Sequence, residues 1–202
     1  MASNPADLNN YQRNLPHILP AQEHIFITIR LAGSLPGAVV EQLREQWQRE
    51  STPEELPEDS YVRQKRYFGR FDQLLDGHAY GPTWLRQPAI ATLVQTALQY
   101  YTDRHYQLVC YCIMPNHVHV LLLLPENAPP LVRTLQAFKS YTATQANKLL
   151  GRTGQFWQRE SYDHVVRNLK ELENIIRYIL ENPVKAGLVT DWQQWPYHYL
   201  VQ

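Results

Sequence analysis

The thirteen residues Cys112–Leu124, CIMPNHVHVLLLL, restrict the fold more than any other stretch of the chain. Pro115-Asn116 is turn chemistry between two apolar runs of strand length, so the segment reads as a β-hairpin. Beyond the turn the residues alternate. His117 and His119 fall on one face of a strand, Val118 and Val120 on the other. Two imidazoles on one face, two residues apart, can close on a single metal ion. An H-x-H pair inside a strand is nevertheless more often ordinary than metal-binding, and only a partner elsewhere in the chain would give it a function.

The chain's 202 residues suffice for one well-cored domain, or for one domain with an insertion. No apolar run approaches transmembrane length. The opening MASNPADLNNYQRNLPHILPAQ lacks the basic start and apolar core of a signal peptide, so a soluble cytoplasmic protein with no membrane association is expected. Net charge is +0, which leaves the distribution of charge, rather than its sum, to speak about nucleic acid. Arg63, Lys65, Arg66 and Arg70 crowd one segment with Tyr67, Phe68 and Phe71 between them. Cations for phosphates and flat rings for bases are what a single-strand binder needs, although a solvated face over core aromatics has the same composition. Cys110 and Cys112 stand at i and i+2 of one strand, a poor geometry for a disulfide, and read as reduced, buried thiols. A zinc site shared with the histidines would call for a second Cys/His cluster, which the chain lacks.

Taken in order, residues 1–22 are polar and proline-punctuated and read as a tail before a domain over 23–202. His24–Leu31 alternates as a strand, with Ile25, Ile27, Ile29 and Leu31 on its apolar face. Val39, Leu43 and Trp47 recur four apart, the pattern of a helix. The acidic, proline-bearing stretch 51–60 reads as a loop, and the helical insertion after the first strand spans roughly 34–85. Pro88 opens a helix with Ile90, Leu93, Val94, Ala97, Leu98 and Tyr101 as its buried stripe. His105–Ile113 is the first strand of the hairpin. A helix after Pro129-Pro130 carries Leu131, Leu135, Phe138, Thr142, Ala146 and Leu149, with Gly151 past its end. Ser161–Arg167 alternates as a fourth strand. Asn168 and Glu171 then make a capping box for a last helix, striped by Leu169, Leu172, Ile175, Ile176, Ile179 and Leu180, with Pro183 as its stop. The plan is α+β, a ferredoxin-like βαββαβ sandwich on an antiparallel sheet, with inserted helices after the first strand and one more helix at the end.

On that last helix Tyr178 falls at the flank of the apolar stripe, and Asn182, four residues on, stacks over the same face. A boundary tyrosine with a wet hydroxyl and a helix-ending asparagine would look the same. The runs MPNHVHVLL, FKSYTATQANKLLGRTGQFWQRESYDHVVR and YILENPVKAGLV, taken together, resemble the HUH single-strand DNA nucleases. Within these they are most similar to single-tyrosine transposases of the insertion-sequence-200 type, in the branch associated with repetitive extragenic palindromes (REP). The resemblance covers approximately residues 22–200 and is least typical over roughly 32–85.

That resemblance implies His117 and His119 as metal-binding histidines, Tyr178 as the nucleophile on a C-terminal catalytic helix, and Asn182 where relatives carry a polar third ligand. It implies Mg²⁺ or Mn²⁺ as cofactor and single-stranded DNA with hairpins or palindromic repeats as partner, handled by a monomer or a homodimer. The implied reaction nicks and rejoins DNA through a covalent 5′-phosphotyrosine. Lys139, Arg159 and Arg167 near the site, and Arg63, Lys65, Arg66 and Arg70 further out, are the candidate DNA contacts. Trp157 is either a base-stacking platform or a core tryptophan, and His164 fits the branch pattern without an assigned role. The alternatives are a catalytically inactive, domesticated nucleic-acid-binding module on the same fold, and a histidine-site hydrolase of small phosphoesters.

Overall fold

The hairpin forms where the alternation puts it. β4 (Gln107–Ile113) and β5 (His117–Leu123) pair antiparallel, and the turn closes with the Met114 amide donating to the His117 carbonyl at 2.8 Å. The computed structural model describes residues 10–12, 16–18, 21–50, 57–77 and 80–201. Before the hairpin come β1 (Asn10–Gln12), β2 (Pro16–Ile18), β3 (His24–Arg30), α1 (Gly37–Arg49), α2 (Pro57–Asp76) and α3 (Pro88–Tyr100). After it come α4 (Leu131–Leu149), β6 (Tyr162–Val165), α5 (Leu169–Lys185) and β7 (His198–Leu200).

The main sheet runs β6-β3-β5-β4-β7, with every neighbouring pair antiparallel. Its first four strands have the order of the expected βαββαβ sandwich, and β7 extends the β4 edge. The fold is therefore α+β, as read from the sequence. β7 itself was not expected, because three residues are too few to carry a period-two signal. It is held by Trp195, whose indole donates to the Ile113 carbonyl at 3.0 Å.

Period-two alternation divides the buried side chains between two faces. Ile25, Ile27, Ile29, Val118, Val120 and Leu122 pack with Ile90, Val94 and Leu98 of α3 and Phe138 of α4. The intervening residues, including Phe26, Cys112 and Leu121, face α5 and α2 through Ile179 and Phe68. Cys110 and Cys112 are free, buried thiols on that second face. Trp157 belongs to the first core, 4% exposed, its indole donating to Thr142 Oγ1 at 2.7 Å.

Several local expectations need correction. Residues 57–60 do not end a loop but open α2, since proline suits a first helical turn; residues 51–56 lie outside the described residues. Within the stretch read as a tail, β1 and β2 form a two-stranded sheet of their own. The rest of 1–20 lies outside the described residues. Leu149 and Leu169, each the terminal residue of its helix, are 58% and 77% exposed rather than part of the buried stripes.

Pro183 does not stop α5. It sits inside the last turn, where only the bond to Ile179 is forfeited. The true end is a Schellman motif: Leu188 N–H donates to Pro183 O and Gly187 N–H to Val184 O, both at 2.9 Å, with Gly187 at φ 67°. At the other end Asn168 Oδ1 accepts from the Glu171 amide at 2.9 Å, and Glu171 Oε2 takes the Arg167 amide at 2.9 Å. The result is a rigid, capped helix that holds its polar face over β5. A glycine fixes the approach to α3: a Cβ on Gly81, which has φ +72°, would collide with the Gly33 carbonyl.

Candidate active site

His117 and His119 are both fully buried, and their Nε2 atoms face one another at 3.0 Å. The outer nitrogens explain the arrangement. Asn116 Nδ2 donates to the Leu75 carbonyl at 3.0 Å, which turns its Oδ1 toward His117 Nδ1 at 2.7 Å. An amide oxygen only accepts, so His117 Nδ1 carries the hydrogen and its Nε2 presents a lone pair. His119 Nδ1 meets Thr28 Oγ1 at 2.8 Å, the two residues being cross-strand partners. With the hydrogen on Nδ1 there as well, two lone pairs point at one spot. That is the arrangement by which outer hydrogen bonds orient metal-bound imidazoles.

Helix α2 brings two carboxylates to the same place. Asp72 Oδ1 lies 3.5 Å from His119 Nε2, and Asp76 Oδ1, one helical turn on, lies 3.6 Å from His117 Nε2. These are not ion pairs of the ordinary kind. Burial first, and the Lys185 charge second, push the His119 pKa down to about 3, so its ring is neutral. Asp72 is 2% exposed, neither of its oxygens has a hydrogen-bond partner among the described residues, and burial followed by the Asp76 charge pushes its pKa well up. Burial likewise raises Asp76 to about 7, against the opposing pull of Lys185 and of the Asn182 amide. A buried carboxylate without donors is costly unless a cation or a proton joins it. One ligand atom from each of Asp72, His117 and His119 can be chosen so that all lie within 4.8 Å of one another. Two lone-pair imidazoles and a donor-starved carboxylate fit a divalent ion.

Sequence reasoning missed α2's part. Its one signal was the Asp72-x-x-x-Asp76 spacing, which stacks two acids on one helix face, hidden in a segment whose cations and aromatics draw the eye.

Across the cleft, Tyr178, Asn182 and Lys185 share one face of α5. The Tyr178 ring centroid is 5.5 Å from that of His119, and the Lys185 Nζ sits 4.7 Å from the Tyr178 ring centroid. The Tyr178 hydroxyl is buried and has no hydrogen-bond partner among the described residues. Asn182 is fully buried and its Nδ2 lies 3.4 Å from His119 Nε2 and 3.5 Å from Asp76 Oδ2, while its Oδ1 has no partner among the described residues. A half-turn of that amide brings the oxygen to the histidines.

The remaining candidates are placed unequally. Lys65, Arg167, Lys170 and Lys185 line an open cleft of about 1360 Å³ that runs between α2 and α5 to Tyr178. Lys65 also pairs with Glu171 Oε1 at 2.6 Å, beside His164, whose Nε2 is 3.3 Å from the same oxygen. Arg66 and Arg159 are exposed. Arg70 is exposed and paired with Glu50 at 3.0 Å. Arg63 is 8% exposed, 4.0 Å from the Trp47 ring centroid, and donates to the Trp47 carbonyl at 3.1 Å. Lys139 donates to the carbonyls of Gln158 at 3.0 Å and Arg159 at 3.1 Å, tying the loop before β6 to α4.

Comparison with known proteins adds three findings. The family described as "Transposase IS200 like" matches residues 82–182. A Haemophilus influenzae protein assigned to the REP-associated tyrosine transposases is 35% identical over 107 residues, 48% of this chain and 61% of that protein. The REP-associated tyrosine transposase of Escherichia coli K12 is 29% identical over 96 residues, 47% of this chain and 54% of that protein. The chain thus matches less than two thirds of the length of either relative. A solved structure of a REP-associated tyrosine transposase bound to a REP hairpin shares the fold, with a TM-score of 0.57 at 17% identity. That match covers 93% of this chain and 82% of that one. Among the described residues, no helix is long and apolar enough to cross a membrane.

Proposed function

The chain belongs to the IS200-like transposase family, and from that premise we propose that it nicks and rejoins single-stranded DNA at hairpins through Tyr178. The observation that carries this reading is the Tyr178 hydroxyl, buried and without a partner among the described residues, on a helix packed beside the His117–His119 pair. Most buried hydroxyls are bonded, and Tyr178 lines the open cleft where a substrate would lie.

His117, His119 and Asp72 are the groups that would hold a Mg²⁺ or Mn²⁺ ion, with the Asn182 oxygen available after its half-turn. When bound, such an ion supplies positive charge against the oxygens of the scissile phosphate as negative charge builds on them. Tyr178 Oη forms a bond to phosphorus as the bond from phosphorus to the 3′ oxygen breaks. The electron pair leaves with that oxygen, which takes a proton to become a free 3′-OH. The product is a 5′-phosphotyrosine, whose retained ester energy lets a second 3′-OH reverse the step and join strands. Lys185, over the Tyr178 ring, favours the phenolate as it forms. Lys65, Arg167 and Lys170 along the cleft suit the phosphates of the bound strand.

The test is an adduct experiment. Incubation with hairpin-bearing single-stranded oligonucleotides and Mn²⁺ should yield a protein–DNA adduct that Tyr178→Phe reduces by at least about 10³-fold. An adduct undiminished in Tyr178→Phe would overturn the assignment. Strand cleavage that survives Tyr178→Phe but is lost in His119→Ala would instead favour hydrolysis without a covalent tyrosine.

A further inference from the structure

Behind His119, on the side away from Asp72, a second pocket of about 280 Å³ opens between α1, α2 and the sheet. Trp47 of α1, Tyr67 and Phe71 of α2, Thr28 and Arg30 of β3, and Glu160 enclose it. Arg30 is 8% exposed, its guanidinium 5.3 Å from the Phe71 ring centroid, and it donates to the neutral Ser34 hydroxyl at 3.2 Å. A guanidinium carries five N–H donors, and burying them favours a ligand that brings acceptors.

This pocket shares its floor with the histidine pair. Thr28 lines it and bonds to His119 Nδ1, while Arg30 is the cross-strand partner of His117. Neighbouring strands are about 4.8 Å apart. An occupant of the pocket would therefore sit beside a phosphate held at the histidines, at the reach of one nucleotide from its phosphate to its base.

We propose that the pocket receives the unpaired nucleobase of the nucleotide next to the scissile phosphate. Its volume admits one flat heterocycle and excludes a base pair. Trp47, Tyr67 and Phe71 offer ring faces for stacking or edge contact. Arg30 supplies donors to ring-nitrogen and carbonyl acceptors on a base edge, and Glu160 accepts from an exocyclic amine. A phosphate would fit less well: beside Arg30 and Arg44 it would meet two carboxylates, Glu41 and Glu160, and three aromatic rings. The proposal rests on the strand-nicking reading, because the histidine pair is what locates the phosphate.

The experiment titrates the full chain, with Mn²⁺, against a hairpin oligonucleotide with single-stranded flanks carrying one abasic site at a time, read by fluorescence anisotropy. One position beside the cleavage point should weaken binding about 10-fold when its base is removed, with the other positions changing little. Trp47→Leu and Arg30→Met should bind intact DNA about 10-fold more weakly and lose no more at that position. An equal abasic penalty in wild type and variants overturns the proposal, as does a flank with no sensitive position.

If the variants fail to fold, 2-aminopurine at the sensitive position reports on the wild type. Quenching on binding supports the pocket, and unchanged fluorescence overturns it. Adduct formation at Tyr178 is scored on the same oligonucleotides. An adduct without a sensitive position removes the pocket and leaves the reaction; a sensitive position without an adduct removes the reaction and leaves the pocket.

Discussion

On one face of the sheet Ile27, Ile29, Val118 and Val120 pack in a mainly apolar core under α3 and α4, where the buried hydroxyls include those of Tyr106, Thr134 and Thr142. On the other face the next residues along the same strands, Thr28, Arg30, His117 and His119, are buried just as deeply against α2 and α5. There, among the described residues, both oxygens of Asp72, Asp76 Oδ1, Tyr178 Oη and Asn182 Oδ1 have no hydrogen-bond partner. Each such buried orphan costs about 1–3 kcal/mol. The contrast teaches that the first face carries stability and lets the second be spent on a site that is unfavourable until something occupies it.

The largest effect should come from breaking the first face. Ile27→Asp places a carboxylate in a fully buried, mainly apolar core with no cation among the residues that line its cavity, and a loss of at least about 5 kcal/mol should remove the cooperative unfolding transition seen by circular dichroism. Thr28→Ala, one residue along the same strand, should leave a clear transition. Equal damage from the two would erase the distinction between the faces.

A smaller effect is expected for Asp72→Asn. Mn²⁺ affinity by titration calorimetry should fall at least about 10-fold, and the rise in Tm on adding Mn²⁺ should shrink with it. Unchanged affinity would pass the third-ligand role to Asn182.

The smallest is a pH effect in metal-free protein. The folded pKa of Asp76, at about 7, lies above its ordinary value of 3.8. Its contribution to stability is thus full below about 4 and is lost as pH rises through about 7. Asp76→Asn removes that loss, so in chelator its Tm should gain on the wild type between pH 5 and pH 8. At about 1.4 kcal/mol per pKa unit, the gain amounts to a few kcal/mol at most. His119, lowered to about 3, acts in the opposite direction in both proteins and cancels from the difference. A Tm difference independent of pH would contradict the raised Asp76 pKa.

How much of this was legible follows from which signals were local. The hairpin, the alternation that aims both histidines at one face, and the Asn168 cap are written within a few residues, and they appear in the fold where expected. The 178/182 spacing also reads directly, because i and i+4 share a helix face. What was not legible depends on which helix covers which face. The arrival of α2 over the histidines, with Asp72 and Asp76, is a tertiary fact carried by no periodicity. So are the bonds that tie the buried Arg63 and the half-buried Lys139 to backbone carbonyls. Pro183 misled because its rule concerns helix interiors, and in a last turn only one bond is at stake.

The central claim is that the second face assembles a nucleophile and a histidine pair within one chain. Mixing Tyr178→Phe protein with His119→Ala protein in equal amounts, with Mn²⁺ and a hairpin on which the wild type forms an adduct, tests it most directly. Each single variant, and the mixture, should form no adduct. Recovery of the adduct in the mixture would mean that the tyrosine of one chain serves the histidines of another, and would contradict the account.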